Sequence, residues 1–263
     1  EEDFEDGVGL ERTHMWNTSD DAAAESFRTI RTVLVMGTED SERIAVTSAE
    51  PSDGKTTISG NLAIAYQQAG KRVLIIDADM RKPGLTKLID RRGQIGLADI
   101  LRGTEEVAEQ ASSLAIQIGS VPVDIIPAGR RPPNPGELLL GDRFAELLAW
   151  ADGEYDQVIV DAPPVLAGTD AAAVGRLCDG LMLVVRPEKN RRRVLIKAVE
   201  TLRMFGVTLF GTVVNAVGLE EMGYGYGYGY GYGYGYGYGD EYGLDDDDEY
   251  GDEEEEETYM RAA

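Results

Sequence analysis

The sequence predicts an α/β fold, a mostly parallel sheet covered by helices on both faces, followed by a disordered, tyrosine-rich acidic tail. Three observations predict it. Apolar runs of strand length alternate with helix-length segments ahead of Gly223, two of those runs end in acids, and the composition changes abruptly at Gly223. A strand that is apolar at nearly every position is one buried on both faces, as in a parallel sheet between two helical layers.

Taken in order, residues 1–18 are acidic, lack apolar periodicity and read as a flexible segment. Asp20 and Asp21 are placed to cap a helix over Ala22–Met36, with Phe27, Ile30 and Leu34 on one stripe. Ile44–Thr47 reads as a strand, Lys55–Gln68 as a helix closed by Gly70, and Arg72–Asp77 as a strand ending in acid. Val123–Pro127, Gln157–Val160, Leu181–Val185 and Thr208–Val214 are further strand-like runs. Leu138–Ala151, Asp170–Leu177 and Arg191–Phe205 read as the helices among them. One domain over 19–221 is long enough for a single sizeable core. From 222 to 263, glycine at every second position and then runs of like charge leave nothing to pack, so this stretch reads as disordered.

The formal charge of the 263 residues is −23. Residues 221–263 hold fourteen acids against one base, Arg261, and so carry −13 of it. This balance argues against direct nucleic-acid binding, because a phosphate backbone would be repelled, and favours a basic partner surface. The single cysteine, Cys178, excludes an internal disulfide, fits a reducing compartment and reads as a small buried residue near a helix end. The single histidine, His14, leaves no zinc-site spacing. No apolar run approaches the ~20 residues that cross a bilayer, and the residues given are not expected to include a signal peptide. The chain begins at Glu1, so it is expected to be a piece of a longer protein, whose preceding part could contain membrane spans.

The chemistry concentrates at strand ends, where ligands bind in such sheets. Ala49, Glu50, Pro51, Ser52, Asp53, Gly54, Lys55, Thr56 and Thr57 follow a strand and open a helix, the context of a phosphate-binding loop of P-loop NTPase type. Backbone N–H groups there are expected to face phosphate, Lys55 can span the β- and γ-phosphates of ATP, and the Thr56 hydroxyl can ligate Mg²⁺. Ala49 stands where the usual pattern has its first glycine. Asp77 and Asp79, followed by Arg81, end one strand, and Asp161, followed by Ala162-Pro163-Pro164, ends another. Carboxylates so placed hold Mg²⁺ directly or through water.

Ala49–Thr57, the run into Asp77-Ala-Asp79-Met-Arg81 and the run into Asp161-Ala-Pro163 resemble the three Walker-type motifs of bacterial tyrosine kinases. These are the cytoplasmic kinase domains of capsule and exopolysaccharide regulators. The resemblance covers about residues 20–217 and includes Gly96-Leu-Ala-Asp99, Pro132-Pro-Asn-Pro135 and Glu137-Leu-Leu139. Glu25-x-x-Arg28-x-x-Arg31 is similar to the family's oligomerisation helix. The resemblance implies an ATP- and Mg²⁺-dependent tyrosine autokinase. Its catalytic residues would be Lys55, Asp77, Asp79 and Asp161, with Asp77 the candidate base. Thr56, Asp77, Asp79 and Asp161 would organise the metal, and Arg81 would contact phosphate or an acidic neighbour. The implied acceptors are Tyr224, Tyr226, Tyr228, Tyr230, Tyr232, Tyr234, Tyr236, Tyr238, Tyr242, Tyr250 and Tyr259, modified in trans within a ring-shaped homo-oligomer, an octamer among the possible sizes. The other implied partners are a transmembrane polysaccharide copolymerase or activator segment and a cognate tyrosine phosphatase. The implied location is cytoplasmic, at the inner face of the plasma membrane.

Without the family, the Gly-Tyr repeat also reads as a self-associating spacer, and Glu25, Arg28 and Arg31 as a solvated helix face. A tail of forty residues reaches about 35 Å, enough for a neighbouring site. Arg191–Arg193 and Arg130-Arg131 either attract that acidic tail or are ordinary solvated surface. Two rival functions are a partitioning-type switch ATPase and a nucleotide-gated scaffold whose tail another kinase modifies. The ATPases carry a lysine early in the loop where this chain has Glu50, which counts against them.

Overall fold

A computed structural model describes residues 9–17, 22–38, 41–117 and 120–217. The expected capping residues Asp20 and Asp21 and the tail from 222 to 263 lie outside the described residues. A 3₁₀ turn at Gly9–Arg12 leads into α1 (His14–Asn17) and α2 (Ala22–Gly37). Then follow β1 (Arg43–Ser48), α3 (Lys55–Gln68), β2 (Val73–Asp77), α4 (Gly84–Leu88), α5 (Leu97–Arg102) and α6 (Val107–Leu114). The chain continues through β3 (Ile116–Gln117), β4 (Asp124–Ile126), α7 (Pro135–Leu140), α8 (Asp142–Glu154) and β5 (Gln157–Asp161). It closes with α9 (Asp170–Leu177), β6 (Gly180–Val185), α10 (Arg192–Met204) and β7 (Leu209–Val214).

The strands form one sheet in the order β3-β4-β2-β5-β1-β6-β7. Every pairing is parallel except β3 with β4. β2, β5 and β6 are buried at every position, as continuous apolar runs require. Alternate residues feed two apolar layers. Ala45, Leu74, Ile76, Val158 and Leu183 meet Phe144, Leu147, Ala171 and Leu202 from α8, α9 and α10. Ile44, Val46, Ile75, Ile159 and Val184 meet Phe27, Leu34, Leu62 and Tyr66 from α2 and α3. The sequence moves from β1 outward to β2, returns to β5 beside β1, and then leaves to the opposite side through β6. The carboxyl ends of β5, β1 and β6 therefore flank a topological switch point, where a crevice opens.

Two expectations need correction. Residues 9–17 form helical turns packed on α3, where a loose segment was expected. Leu10 and Met15 are buried; Met15 donates its N–H to Asn61 Oδ1 at 2.9 Å, and Gln68 Nε2 donates to the Met15 carbonyl at 3.1 Å. Gly60 leaves room for Leu10, whose Cδ2 would lie 3.1 Å from a Cβ there. Two isolated apolar residues in an acidic stretch are too few to show a period, which is why the sequence pattern misses them. The expected helix over Leu138–Ala151 is instead two helices, because Gly141 is extended (φ −76°, ψ 158°) and breaks the run between α7 and α8. Cys178 sits half-buried at the end of α9, packed against the core. Among the described residues no helix is long and apolar enough to cross a membrane.

Replacing the fully buried Met15 by Ala should cost about 2–5 kcal/mol, the usual range for emptying a packed site. Urea unfolding measures this; a loss under about 0.5 kcal/mol would mean that residues 9–17 do not belong to the folded domain.

Candidate active site

The loop between β1 and α3 owes its shape to two unusual residues and a frame behind it. Ser52 (φ 66°) and Gly54 (φ 100°) turn the backbone through the left-handed region. At Gly54 a side chain is doubly excluded, since an added Cβ would lie 2.0 Å from Asn215 Nδ2. Asn215 stands just beyond β7 and donates to the Asp53 carbonyl at 2.9 Å. The Asp53 carboxylate is fully buried and accepts from the Glu50 N–H at 2.9 Å, Lys189 Nζ at 2.6 Å and Asn190 Nδ2 at 3.2 Å. Lys189 also donates to the Pro51 carbonyl. Asn190 Nδ2 donates to Glu50 Oε2 at 2.9 Å, so that carboxylate is tied into the loop's frame. Ala49 is buried in the core beneath the loop.

In front of this frame lies a cavity of about 590 Å³. Of the residues the sequence singled out, Pro51, Ser52, Gly54, Lys55, Thr56, Thr57, Asp79 and Arg81 line it. Ala49, Glu50, Asp53, Asp77 and Asp161 stand behind the wall and shape it. Lys82, Gly84, Ala167, Arg186 and Asn215 line it as well and went unremarked in the sequence. Arg186 and Asn215 each directly follow a strand, and the rule that ligands gather at strand ends would have flagged both.

The ends of β2 and β5 bring three carboxylates to one ammonium. Lys55 Nζ lies 3.1 Å from Asp79 Oδ2 and 3.4 Å from Asp161 Oδ1. Asp77 and Asp161 pair across the sheet as neighbours in register. Asp77 Oδ2 accepts from the Thr86 N–H and hydroxyl, both at 2.7 Å, and its Oδ1 accepts from the Asp79 N–H at 3.2 Å. Burial, then the charge of Asp161, pushes the Asp77 carboxyl up to about 7, against the Thr86 hydrogen bonds and Lys55. Burial also raises Asp161, although Lys55 and Thr56 oppose it. For Lys55, burial works against the ammonium, but Asp161, Asp79 and Asp77 outweigh it and hold the group above its ordinary value.

The residues fit a magnesium nucleotide. Three buried carboxylates against one ammonium leave an excess of negative charge that a divalent cation would relieve. The Thr56 hydroxyl donates its proton to Asp161 Oδ2 at 2.6 Å, which leaves its lone pairs for a cation. Ser59 Oγ, 3.3 Å from Asp161 Oδ1, steadies the same carboxylate. Gly84 keeps this hydroxyl reachable, because a Cβ there would come within 2.5 Å of Thr56 Oγ1. Among the described residues no group of three or more His, Cys, Asp or Glu forms a ready-made metal cage.

Outside this centre, Arg81 is bidentate to the buried Asp170, at 2.6 Å and 3.2 Å. On α2, Glu25 pairs with Arg28 at 3.0 Å, whereas Arg31 donates to the Ala65 carbonyl on α3 at 2.7 Å. Arg31 is thus engaged within its own chain. Arg191, Arg192 and Arg193 are exposed at the start of α10, and Arg130 donates to the Gly93 carbonyl at 3.0 Å. The eleven tyrosines from Tyr224 to Tyr259 lie outside the described residues.

Comparison with known proteins places these features in company. Residues 41–190 match a family model described as an AAA domain. The chain is 40% identical over 206 residues to the tyrosine-protein kinase wzc of Salmonella typhimurium, covering 78% of this chain and 28% of that protein. It is 37% identical over 208 residues to the tyrosine-protein kinase YwqD of Bacillus subtilis, covering 76% of this chain and 85% of that one. Among solved structures, the kinase domain of the Escherichia coli tyrosine kinase ETK superposes with a TM-score of 0.73 at 35% identity, covering 83% of this chain and 84% of the other.

The raised Asp77 carboxyl predicts a pH effect on the ligand-free, magnesium-free protein. Between the ordinary value of 3.8 and about 7, the folded state keeps a proton that the unfolded chain has released. This group's contribution to stability is therefore complete below 3.8 and is lost as pH rises through about 7. The variant Asp77→Asn should show a shallower fall in unfolding free energy over that window; a slope equal to wild type would contradict the assignment.

Proposed function

The chain belongs to the bacterial tyrosine kinase family, and on that premise we propose that it transfers the γ-phosphoryl group of ATP, with Mg²⁺, to tyrosines of its own C-terminal segment. The observation that carries the reading is the meeting of Lys55, Asp77, Asp79 and Asp161 at adjoining strand ends beside the phosphate loop. Phosphoryl transfer requires positioning and charge neutralisation more than covalent help from the protein. The loop amides and Lys55 hold the phosphates. When bound, Mg²⁺ neutralises charge on the β- and γ-phosphates. The Thr56 hydroxyl and Asp161 would hold the metal, and Thr86 fixes Asp77 behind them.

A phenol with a pKa near 10 must lose its proton as the new P–O bond forms. The Asp77–Asp79 pair takes it. Asp79 lines the cavity, while Asp77 behind it has a proton affinity raised toward neutrality. General-base help of this kind is worth roughly 10²–10⁴-fold.

The finer parts of the proposal concern the whole protein, of which this chain spans 28% in the Salmonella relative. The tail is modified in trans within a ring-shaped homo-oligomer, for which an octamer is one candidate size, and α2 contributes to the contact between subunits through Glu25 and Arg28. The kinase works on the cytoplasmic side of the plasma membrane, with a transmembrane polysaccharide copolymerase or activator segment, in capsule or exopolysaccharide synthesis. A cognate tyrosine phosphatase resets it. Full modification adds about −16 to −22 charges to a segment already at −13, enough repulsion to expel the tail and loosen the ring.

Purified chain given ATP and Mg²⁺ should accumulate phosphotyrosine in residues 222–263, and Lys55→Met should lower the rate at least about 100-fold. Release of phosphate without phosphotyrosine would instead favour a switch ATPase. Replacing Glu25 and Arg28 by Ala, with Arg31 kept for its bond to α3, should reduce self-association in sedimentation. An unchanged profile would remove α2 from the interface.

A further inference from the structure

The cavity has two chemically different ends. Its lining comes from loops that follow five neighbouring strands, and the sheet order sets their positions. Arg186 and Asn215, after β6 and β7, lie to one side of the phosphate loop. Asp79, Arg81 and Lys82, after β2, and Pro163 and Pro164, after β5, lie to the other. Lys55 leans toward this second side, where its two carboxylate partners stand. A phosphate chain laid on the loop with its terminal group at Lys55 thus has its nucleoside toward Arg186 and Asn215. An acceptor phenol then enters from the β2–β5 side.

Charge at that entrance is unevenly committed. Lys55 faces Asp79 and Asp161. Arg81 is held in two hydrogen bonds by Asp170, whose side chain is 3% exposed, so its charge is largely cancelled. Lys82 is exposed and, among the described residues, makes no ion pair. Its backbone N–H donates to Asp79 Oδ1 at 3.0 Å, which fixes the residue at the rim whatever its side chain. The acceptor entrance therefore carries one uncompensated cation.

The tyrosines of the tail fall into two classes. Tyr224 to Tyr238 alternate with glycine, whereas Tyr242 follows Asp240-Glu241, Tyr250 follows Asp245–Glu249, and Tyr259 follows Asp252–Glu257 by one residue. We propose that Lys82 makes the entrance selective for tyrosines preceded by acidic residues, so that Tyr242, Tyr250 and Tyr259 are modified ahead of the Gly-Tyr repeat. The inference rests on the kinase reading above and names the substrate class within it. An exposed ion pair supports a preference of about two- to fivefold for each acid engaged. The preference should shrink with added salt, since exposed charges are screened beyond ~10 Å at 0.1 M.

Two variants of the 263-residue chain separate the classes, one with Tyr242, Tyr250 and Tyr259 replaced by Phe and one with the tyrosines from Tyr224 to Tyr238 replaced by Phe. Initial phosphate incorporation from ATP and Mg²⁺ at low salt is measured per remaining tyrosine. The acid-preceded class should be faster by about threefold or more. Adding Lys82→Glu to both backgrounds should bring the ratio to one or below, and Lys82→Arg should keep it; the ratio is the readout, because total rate also reports on folding. Equal rates for the two classes, or a ratio that Lys82→Glu leaves intact, would overturn the proposal while the kinase reading stands. Incorporation absent from both variants and from the unmodified chain would remove the kinase reading and this inference together.

Discussion

The candidate site is organised by an imbalance: one ammonium, Lys55, set among three buried carboxylates. Charges removed from water are tolerated only when paired and hydrogen-bonded. Each carboxylate here has its own relief. Asp79 and Asp161 share Lys55, Asp161 takes the Thr56 hydroxyl, and Asp77 takes two donors from Thr86 and rises toward neutrality. This arrangement explains why α4 begins where it does, since Thr86 must reach Asp77. It also explains why the residues near Thr56 are small. A centre with excess buried negative charge is one whose balance a divalent cation would restore.

Much of this was legible in the sequence, for identifiable reasons. The fully apolar strands announced a covered parallel sheet, and their register then forced Asp77 and Asp161 to lie side by side. The phosphate loop was readable because its chemistry is local: the left-handed glycine, the lysine and the hydroxyl are consecutive. What escaped was non-local or aperiodic. The frame behind the loop comes from Lys189, Asn190 and Asn215, whose sequence context shows only polar residues after strands. Asp53 looks in the sequence like one more loop residue, and only the fold reveals it as a buried anion with three donors around it. Short helices such as α4 and α5 are held by tertiary contacts and carry too few turns to show a period.

The charged helix α2 illustrates a subtler limit. Spacing placed Glu25, Arg28 and Arg31 on one face, and spacing alone cannot divide that face between neighbours. Arg31 reaches across to the backbone of α3, while Glu25 and Arg28 stay with each other. Arg81 was ambiguous in the same way. Its stated alternatives were phosphate or an acidic neighbour, and Asp170 takes it.

The clamp on the phosphate loop also ties the loop's shape to distant parts of the chain. Lys189 and Asp53 are separated by 136 residues, and Asn215 and Asp53 by 162. The glycine-lysine turn precedes in the chain the struts that set its curvature, which follow β6 and β7. Until those residues are in place nothing holds Asp53 or the backbone beside Gly54, so the curvature of the loop depends on completion of the far side of the sheet.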